Sequence, residues 1–202
     1  ADLDLHSEGW FERNRIELLR GVTVQRIDVD AQEVVTAGGA RYPYWHLVIA
    51  SGAAPVPPAV PGGPNAQPLR SFADAVALKM AARHAGTAVV IGAGLIGCEA
   101  AGCLAALGVA TTLVAPEPVP LLRRFGVDVG ERVVKMLFDA GVRFVGSADV
   151  TAVVESGVVL AGGENVDGDV VVAATGVRPD VRLAAEAGLS IRAGRIVVDE
   201  QM

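Results

Sequence analysis

The chain has 202 residues, of which 51% are hydrophobic and 20% charged, with a formal net charge of −6. That mix buries a core rather than staying disordered, and its negative charge would be repelled by a phosphate backbone, so nucleic acid is not an expected partner. Two cysteines make no disulfide framework and fit a reducing, cytoplasmic setting; the segment Thr87–Val114, uncharged but for Glu99, is broken by glycines and does not read as a membrane span.

The first eight residues carry Asp2, Asp4 and Glu8 and do not read as a signal peptide. Ser7 is placed to cap a short helical turn through Phe11 and Glu12. Apolar alternation at Val22 and Val24, then Ile27 and Val29, predicts half-buried strands. Asp30–Glu33 turns the chain into Val34-Val35, and Gly38-Gly39 is a second hairpin signal leading to Tyr42 and Tyr44. The short apolar run Leu47-Val48-Ile49-Ala50 predicts a fully buried strand that ends at Ser51-Gly52. Pro55–Pro68 is rich in proline and glycine and predicts a linker. Ser71 then opens a helix with Asp74 at the capping-box position and Ala75, Leu78 and Ala82 on one face.

From Thr87 the pattern becomes strand, helix, strand. Ala88–Ile91 predicts a strand and Leu95–Leu107 a helix stopped by Gly108. Thr111–Val114 predicts a strand, Val129–Ala140 a helix stopped by Gly141, and Val142–Val145 a strand. Asp149–Val159 alternates like a hairpin, and Asp169–Ala174 reads as another buried strand. Such units predict an α/β fold with a parallel sheet.

The sequence Val89-Val90-Ile91-Gly92-Ala93-Gly94-Leu95-Ile96-Gly97-Cys98-Glu99-Ala100 contains G-x-G-x-x-G. Alone that pattern is weak, but here a buried strand precedes it and an Ala/Leu-rich helix follows. Gly92 would make the turn, Gly94 would admit a pyrophosphate, and Gly97 would let the helix pack closely. The helix N-terminus, from Leu95 and Ile96, offers unpaired N–H groups to phosphates. Dinucleotide folds place an acid at the end of the second strand for the ribose 2′-OH. That place holds Ala115, followed by Pro116 and Glu117; Glu117 has two open readings, a substitute for that acid or a side chain aimed away by the fixed backbone of Pro116. Arg123 and Arg124 follow the same strand as candidate phosphate contacts. Glu99 has two open readings, an acid set by the helix dipole or a residue on the nicotinamide side of the cofactor. His6, His46 and His84 have no neighbours that define a triad or a metal site, and no catalytic acid, base or nucleophile is assigned.

Three blocks, in order, resemble the FAD-dependent pyridine nucleotide-disulfide oxidoreductase superfamily, in particular its ferredoxin, rubredoxin and nitrite reductase branch. Ile49-Ala50-Ser51-Gly52-Ala53-Ala54-Pro55 resembles the A-T-G-x-x-P loop, with Ser for Thr. Gly92–Glu99 resembles the nucleotide loop. Thr175-Gly176-Val177-Arg178-Pro179-Asp180 resembles T-G-x-R-P-N, with Asp for Asn. The resemblance implies a Rossmann-type parallel sheet with a β-meander and a partial FAD-type domain. It implies NAD(P)H binding at 73–176, part of an FAD-binding-type domain at 1–72, and a return toward it at 177–202. Ser51, Gly52, Thr175 and Gly176 would lie against cofactor. The family's first glycine-rich loop and its later G-D block are not found here, so the chain is expected to be the central segment of a longer protein, with FAD held by the intact parent. The implied activity is hydride transfer from NAD(P)H to FAD, with electrons passing on to a ferredoxin or rubredoxin. A nucleotide-sensing module without catalysis is the alternative; a flavin-free dehydrogenase would need a His or Lys constellation that is not seen. Cys98 and Cys103 match the C-x4-C spacing of the family's redox pair, but five residues along a helix they point about 140° apart. They are expected to be two small buried apolar residues rather than a disulfide.

Overall fold

The computed structural model describes residues 6–7 and 9–201. The acidic opening of the chain, apart from His6 and Ser7, lies outside the described residues. The chain divides into two compact units, one made of residues 1–52 with 179–202 and the other of residues 53–178.

The first unit begins with a one-turn helix, α1 (Trp10–Arg13), whose N-cap is Gly9 and not Ser7. The Ser7 hydroxyl instead accepts from Arg13 at 3.0 Å, while His6 stacks on Trp10 with ring centroids 3.7 Å apart. Three short strands follow, β1 (Val24–Asp28), β2 (Glu33–Thr36) and β3 (Arg41–Pro43), in an antiparallel meander. The predicted buried strand at Leu47–Ala50 is not one. It has no ladder partner among the described residues, Val48 is 83% exposed, and neighbouring Trp45 is 91% exposed. A continuous apolar run becomes a buried strand only where strands flank it.

The second unit contains β4 (Ala53–Pro55), β5 (Gln67–Pro68), α2 (Phe72–Ala82), β6 (Thr87–Ile91), α3 (Leu95–Ala106), β7 (Ala110–Val114), α4 (Leu122–Asp139) and β8 (Val142–Val145). It continues through β9 (Val150–Val154), β10 (Gly157–Leu160), β11 (Asn165–Asp167), β12 (Val170–Ala173) and most of β13 (Val177–Pro179). Five strands form one parallel sheet in the order β5-β12-β6-β7-β8. Its central strands are Val- and Leu-rich on both faces, as a sheet covered on two sides requires. Val89, Val90, Leu113, Val114 and Val172 are all completely buried. One face packs against Leu78 of α2, Leu104 of α3 and Leu137 of α4. The other packs against Val153, Val158, Leu160 and Val166 of the antiparallel meander β9-β10-β11. Each such side chain contributes about 1.5–3 kcal/mol by leaving water.

Three expectations change here. The Pro/Gly-rich stretch 55–68 is not a linker: it ends in the edge strand β5, paired through Gln67 and Pro68 with Val172 and Ala173, and it buries Ala66 to 3%. An edge is where a strand tolerates proline. Helix α4 starts at Leu122, seven residues before the predicted start, with a break at Gly126 (φ 79°, ψ −179°) that hid its first turn. Cys103 is exposed and only Cys98 is partly buried; both are free thiols.

On its return to the first unit the chain forms α5 (Arg182–Glu186), which packs on β1, and a small ribbon, β14 (Ile191–Arg192) with β15 (Arg195–Ile196). Among the described residues no helix is long and apolar enough to cross a membrane.

Candidate functional site

The parallel sheet winds outward from β6 to β7 and β8, then returns on the other side of β6 as β12. The crevice beyond the carboxyl ends of β6 and β12 is therefore the topological switch point, the place where open α/β sheets bind ligands. A cleft of about 380 Å³ lies there. Ala93, Gly94, Leu95 and Ile96 form one wall, and Ala173, Ala174, Gly176 and Val177 another. Leu95 and Ile96 are nearly half exposed, an unusual state for large apolar residues at a helix start.

The glycines of the loop differ in what holds them. Gly92 has φ +105°, and a Cβ there would lie 2.5 Å from the Ala174 carbonyl oxygen. Its amide donates to Val114 O at 2.8 Å, fixing the turn to β7. A Cβ on Gly97 would collide with the Gly92 carbonyl oxygen and press on Ala174, so this glycine seats the helix on its own entry turn and on the loop after β12. Gly94 is the N-cap of α3 with extended backbone, makes no side-chain cap, and would have nothing within 4 Å of a Cβ. The open space over Gly94 and the uncapped helix start together fit a pyrophosphate.

Among the described residues the cleft has three charged lining residues, Glu117, Arg123 and Arg124. Glu117 Oε1 pairs with Arg123 Nε at 3.0 Å, and the guanidinium of Arg124 lies 5.8 Å from the Phe125 ring centroid. Ala115, where the ribose contact was expected, is 1% exposed and does not line the cleft. It ends the strand instead: its amide donates to Val145 O, and its carbonyl accepts from Ala148 N. The backbone fixed by Pro116 does not aim Glu117 away; it delivers that side chain to the cleft.

The other expected residues are distributed unevenly. Glu99 is exposed on α3 beyond its first turn, which contains no acid, so the helix-dipole reading does not apply to it. It borders a separate apolar hollow with Leu78, Cys103 and Leu107. Cys98 Sγ donates to Ala93 O at 3.7 Å, and burial, with Glu99 beside it, pushes its thiol upward. Of Ser51, Gly52, Thr175 and Gly176 only Gly176 lines the cleft, beside Pro55 and Val177 of the same two motif loops. The Thr175 hydroxyl donates to Val56 O at 2.6 Å, and the Ser51 hydroxyl to Asp180 O at 2.6 Å. Gly52 (φ 76°) accepts from Asp180 N at 3.0 Å. These hydroxyl protons are committed to main-chain carbonyls. Pairing of the two motif loops through β4 and β13 had no signal in the local sequence of either.

A parallel sheet with a glycine-rich turn and a helix start at its switch point defines a dinucleotide-binding α/β protein. The chain belongs to the pyridine nucleotide-disulphide oxidoreductase family, whose model matches residues 8–202. It is similar to rhodocoxin reductase of Rhodococcus erythropolis, at 35% identity over 99% of this chain and 48% of that protein. It also resembles the assimilatory nitrate reductase electron transfer subunit of Bacillus subtilis, at 31% identity over 98% of this chain and 26% of that protein. The solved ferredoxin reductase for the CYP199A2 system of Rhodopseudomonas palustris superposes with a TM-score of 0.91 at 31% identity, over 98% of this chain and 50% of that one. The chain thus spans from about a quarter to about half the length of these relatives.

Proposed function

We propose that this chain is the NAD(P)H-binding portion of a flavin-dependent oxidoreductase, and that the cleft beyond β6 and β12 is its nicotinamide-dinucleotide site. The observation that carries the reading is Gly94: an uncapped helix start under open space at the switch point of a parallel sheet. The amides at the start of α3 and the half-positive helix terminus hold the pyrophosphate. Leu95, Ile96 and Val177 supply apolar walls that shield the bound cofactor from water. No side chain of this chain is assigned a proton-transfer role.

When bound, FAD supplies the chemistry of accepting a hydride and releasing electrons. The described residues do not offer it a second phosphate cradle, and the hydroxyls of Ser51 and Thr175 are bonded to main-chain carbonyls. Residues 1–72 with the return segment 177–202 contribute part of the FAD-binding-type domain, as membership of the family supports. The electron acceptor is read as a small redox protein of the ferredoxin or rubredoxin kind, after the acceptors named for similar proteins. Free thiols fit a cytoplasmic setting.

The test is Gly94→Val, titrated calorimetrically with NADH and NADPH beside a circular dichroism spectrum. Backbone at residue 94 accepts a side chain (φ −77°), so the variant folds. Its affinity falls by at least about tenfold, the equivalent of about 1.4 kcal/mol. A folded variant with unchanged affinity would place the nucleotide elsewhere. A flavin assay on the full-length gene product separates the enzyme from a nucleotide sensor, which would carry none.

A further inference from the structure

We propose that Glu117 reads the ribose 2′ position of the bound dinucleotide and that this residue gives the protein a modest preference for NADH over NADPH. The inference rests on the cleft being the dinucleotide site and assigns its selectivity to a residue past the end of β7.

The backbone that carries Glu117 is held from several sides. Pro116 and Pro118 restrict φ before and after it. Its carbonyl accepts from Ser147 N at 3.1 Å. Gly146 lies under the same stretch, where a Cβ would come within 2.7 Å of Pro118 O and 3.0 Å of Glu117 O. The far end of the loop is stitched to the glycine-rich turn, since Leu121 N donates to Ala93 O at 2.9 Å. The loop after β7 and the loop after β6 are therefore one hydrogen-bonded rim, and among the described residues Glu117 is the acid that lines the cleft.

Charge arithmetic then sets the preference. A carboxylate accepts a hydrogen bond from a ribose hydroxyl and repels a 2′-phosphate. The ion pair to Arg123 engages Oε1 and leaves Oε2 to accept. Arg123 is 86% exposed, and so exposed a pair is a weak restraint that leaves the carboxylate its charge. Two arginines beside one acid also mean that NADPH is not excluded, because Arg123 and Arg124 offset part of the repulsion. Removing the acid leaves both arginines for a 2′-phosphate.

The experiment is calorimetric titration of the chain with NADH, NADPH, ADP-ribose and 2′-phospho-ADP-ribose, the last two reporting binding without the nicotinamide. Wild type binds the unphosphorylated member of each pair more tightly. Glu117→Gln weakens NADH and ADP-ribose binding by about tenfold, the lower end for a hydrogen bond to a charged group, and tightens both 2′-phosphorylated ligands, so the preference reverses. Arg123→Gln weakens the 2′-phosphorylated pair and leaves ADP-ribose within about threefold of wild type, a change of less than about 1 kcal/mol. Glu117→Gln with Arg123→Gln leaves little discrimination. If wild type binds neither member of a pair, the dinucleotide reading fails and this assignment with it. If wild type binds and Glu117→Gln keeps the wild-type ratio with an unchanged melting temperature, Glu117 is not the selector although the site stands.

Discussion

Residues 53–178 and residues 1–52 with 179–202 both carry short apolar runs, yet they bury them very differently. In the first set Val89, Val90, Leu113, Val114 and Val172 are sealed between helices and a meander. Among the described residues of the second the buried apolar side chains are few, Ile27, Val35 and Ala184, while Trp45, Val48 and Val29 face solvent. The difference teaches that hydrophobic pattern proposes burial and ladder partners decide it. Val170–Ala173 and Leu47–Ala50 are both short apolar runs, but β12 has β5 and β6 on its two sides.

The sharpest way to break this comparison is to truncate one apolar side chain in each unit. Leu104→Ala, at 2% exposure under the sheet, is expected to cost about 2–5 kcal/mol in chemical denaturation. Val48→Ala is expected to change stability by less than about 0.5 kcal/mol. Equal costs would show that the run at Leu47–Ala50 is packed as firmly as the sheet.

A smaller effect tests how far local capping contributes beside the core. Ser71 Oγ accepts from Asp74 N at 3.1 Å, and the Asp74 carboxylate accepts from Ser71 N at 2.7 Å. Ser71→Ala is expected to destabilise the protein by about 1 kcal/mol. Restoration by Ser71→Asn would confirm the cap as the cause; a loss undiminished by that change would point to packing.

The smallest effect compares two carboxylates, one in each unit. Asp169 is held below the usual carboxylate range by the backbone amides of Thr87 and Gly86 and the Thr87 hydroxyl. Asp28 is lowered first by the Arg26 side chain and then by the amide of Ala31. A depressed folded-state value stabilises above the unfolded carboxylate value, about 3.9, and that stability is lost as pH falls through the lower folded value. Melting temperatures of Asp169→Asn and Asp28→Asn should therefore lie below wild type at neutral pH and converge on it in acid. Added salt should shrink the Asp28 difference more than the Asp169 one, because only Asp28 has a guanidinium as its main partner. Equal salt sensitivity would contradict that division of causes.

Most of the second unit was legible in its residues. Ala88–Ile91, Leu95–Leu107 and Thr111–Val114 were found within one or two residues because apolar runs, a glycine stop and a glycine-rich turn all agree there. What was not legible depended on distant partners. Nothing in the composition of 55–68 distinguishes a short edge strand at Gln67 and Pro68 from a connector, since the pairing is supplied by Val172 and Ala173. The first turn of α4 was hidden by Gly126, which reads as a stop and serves as a break within a longer helix. At the site, the glycine-rich turn was evident from its strand and helix. Glu117 was in view beside it, but the direction of its side chain was not legible, because its approach to the cleft depends on Gly146 and Ser147, which lie beyond the whole of α4 and β8. The bonds of Ser51 and Thr175 were not legible for the same reason: each hydroxyl meets a carbonyl far along the chain, on Asp180 and Val56.

The two ends of residues 53–178 are neighbours: Val56 N donates to Gly176 O at 3.0 Å, and β4 pairs with β13. A stretch of chain whose entrance and exit lie side by side behaves as a cassette. It can be inserted into, or lifted out of, a host sequence without pulling the host's flanking residues apart.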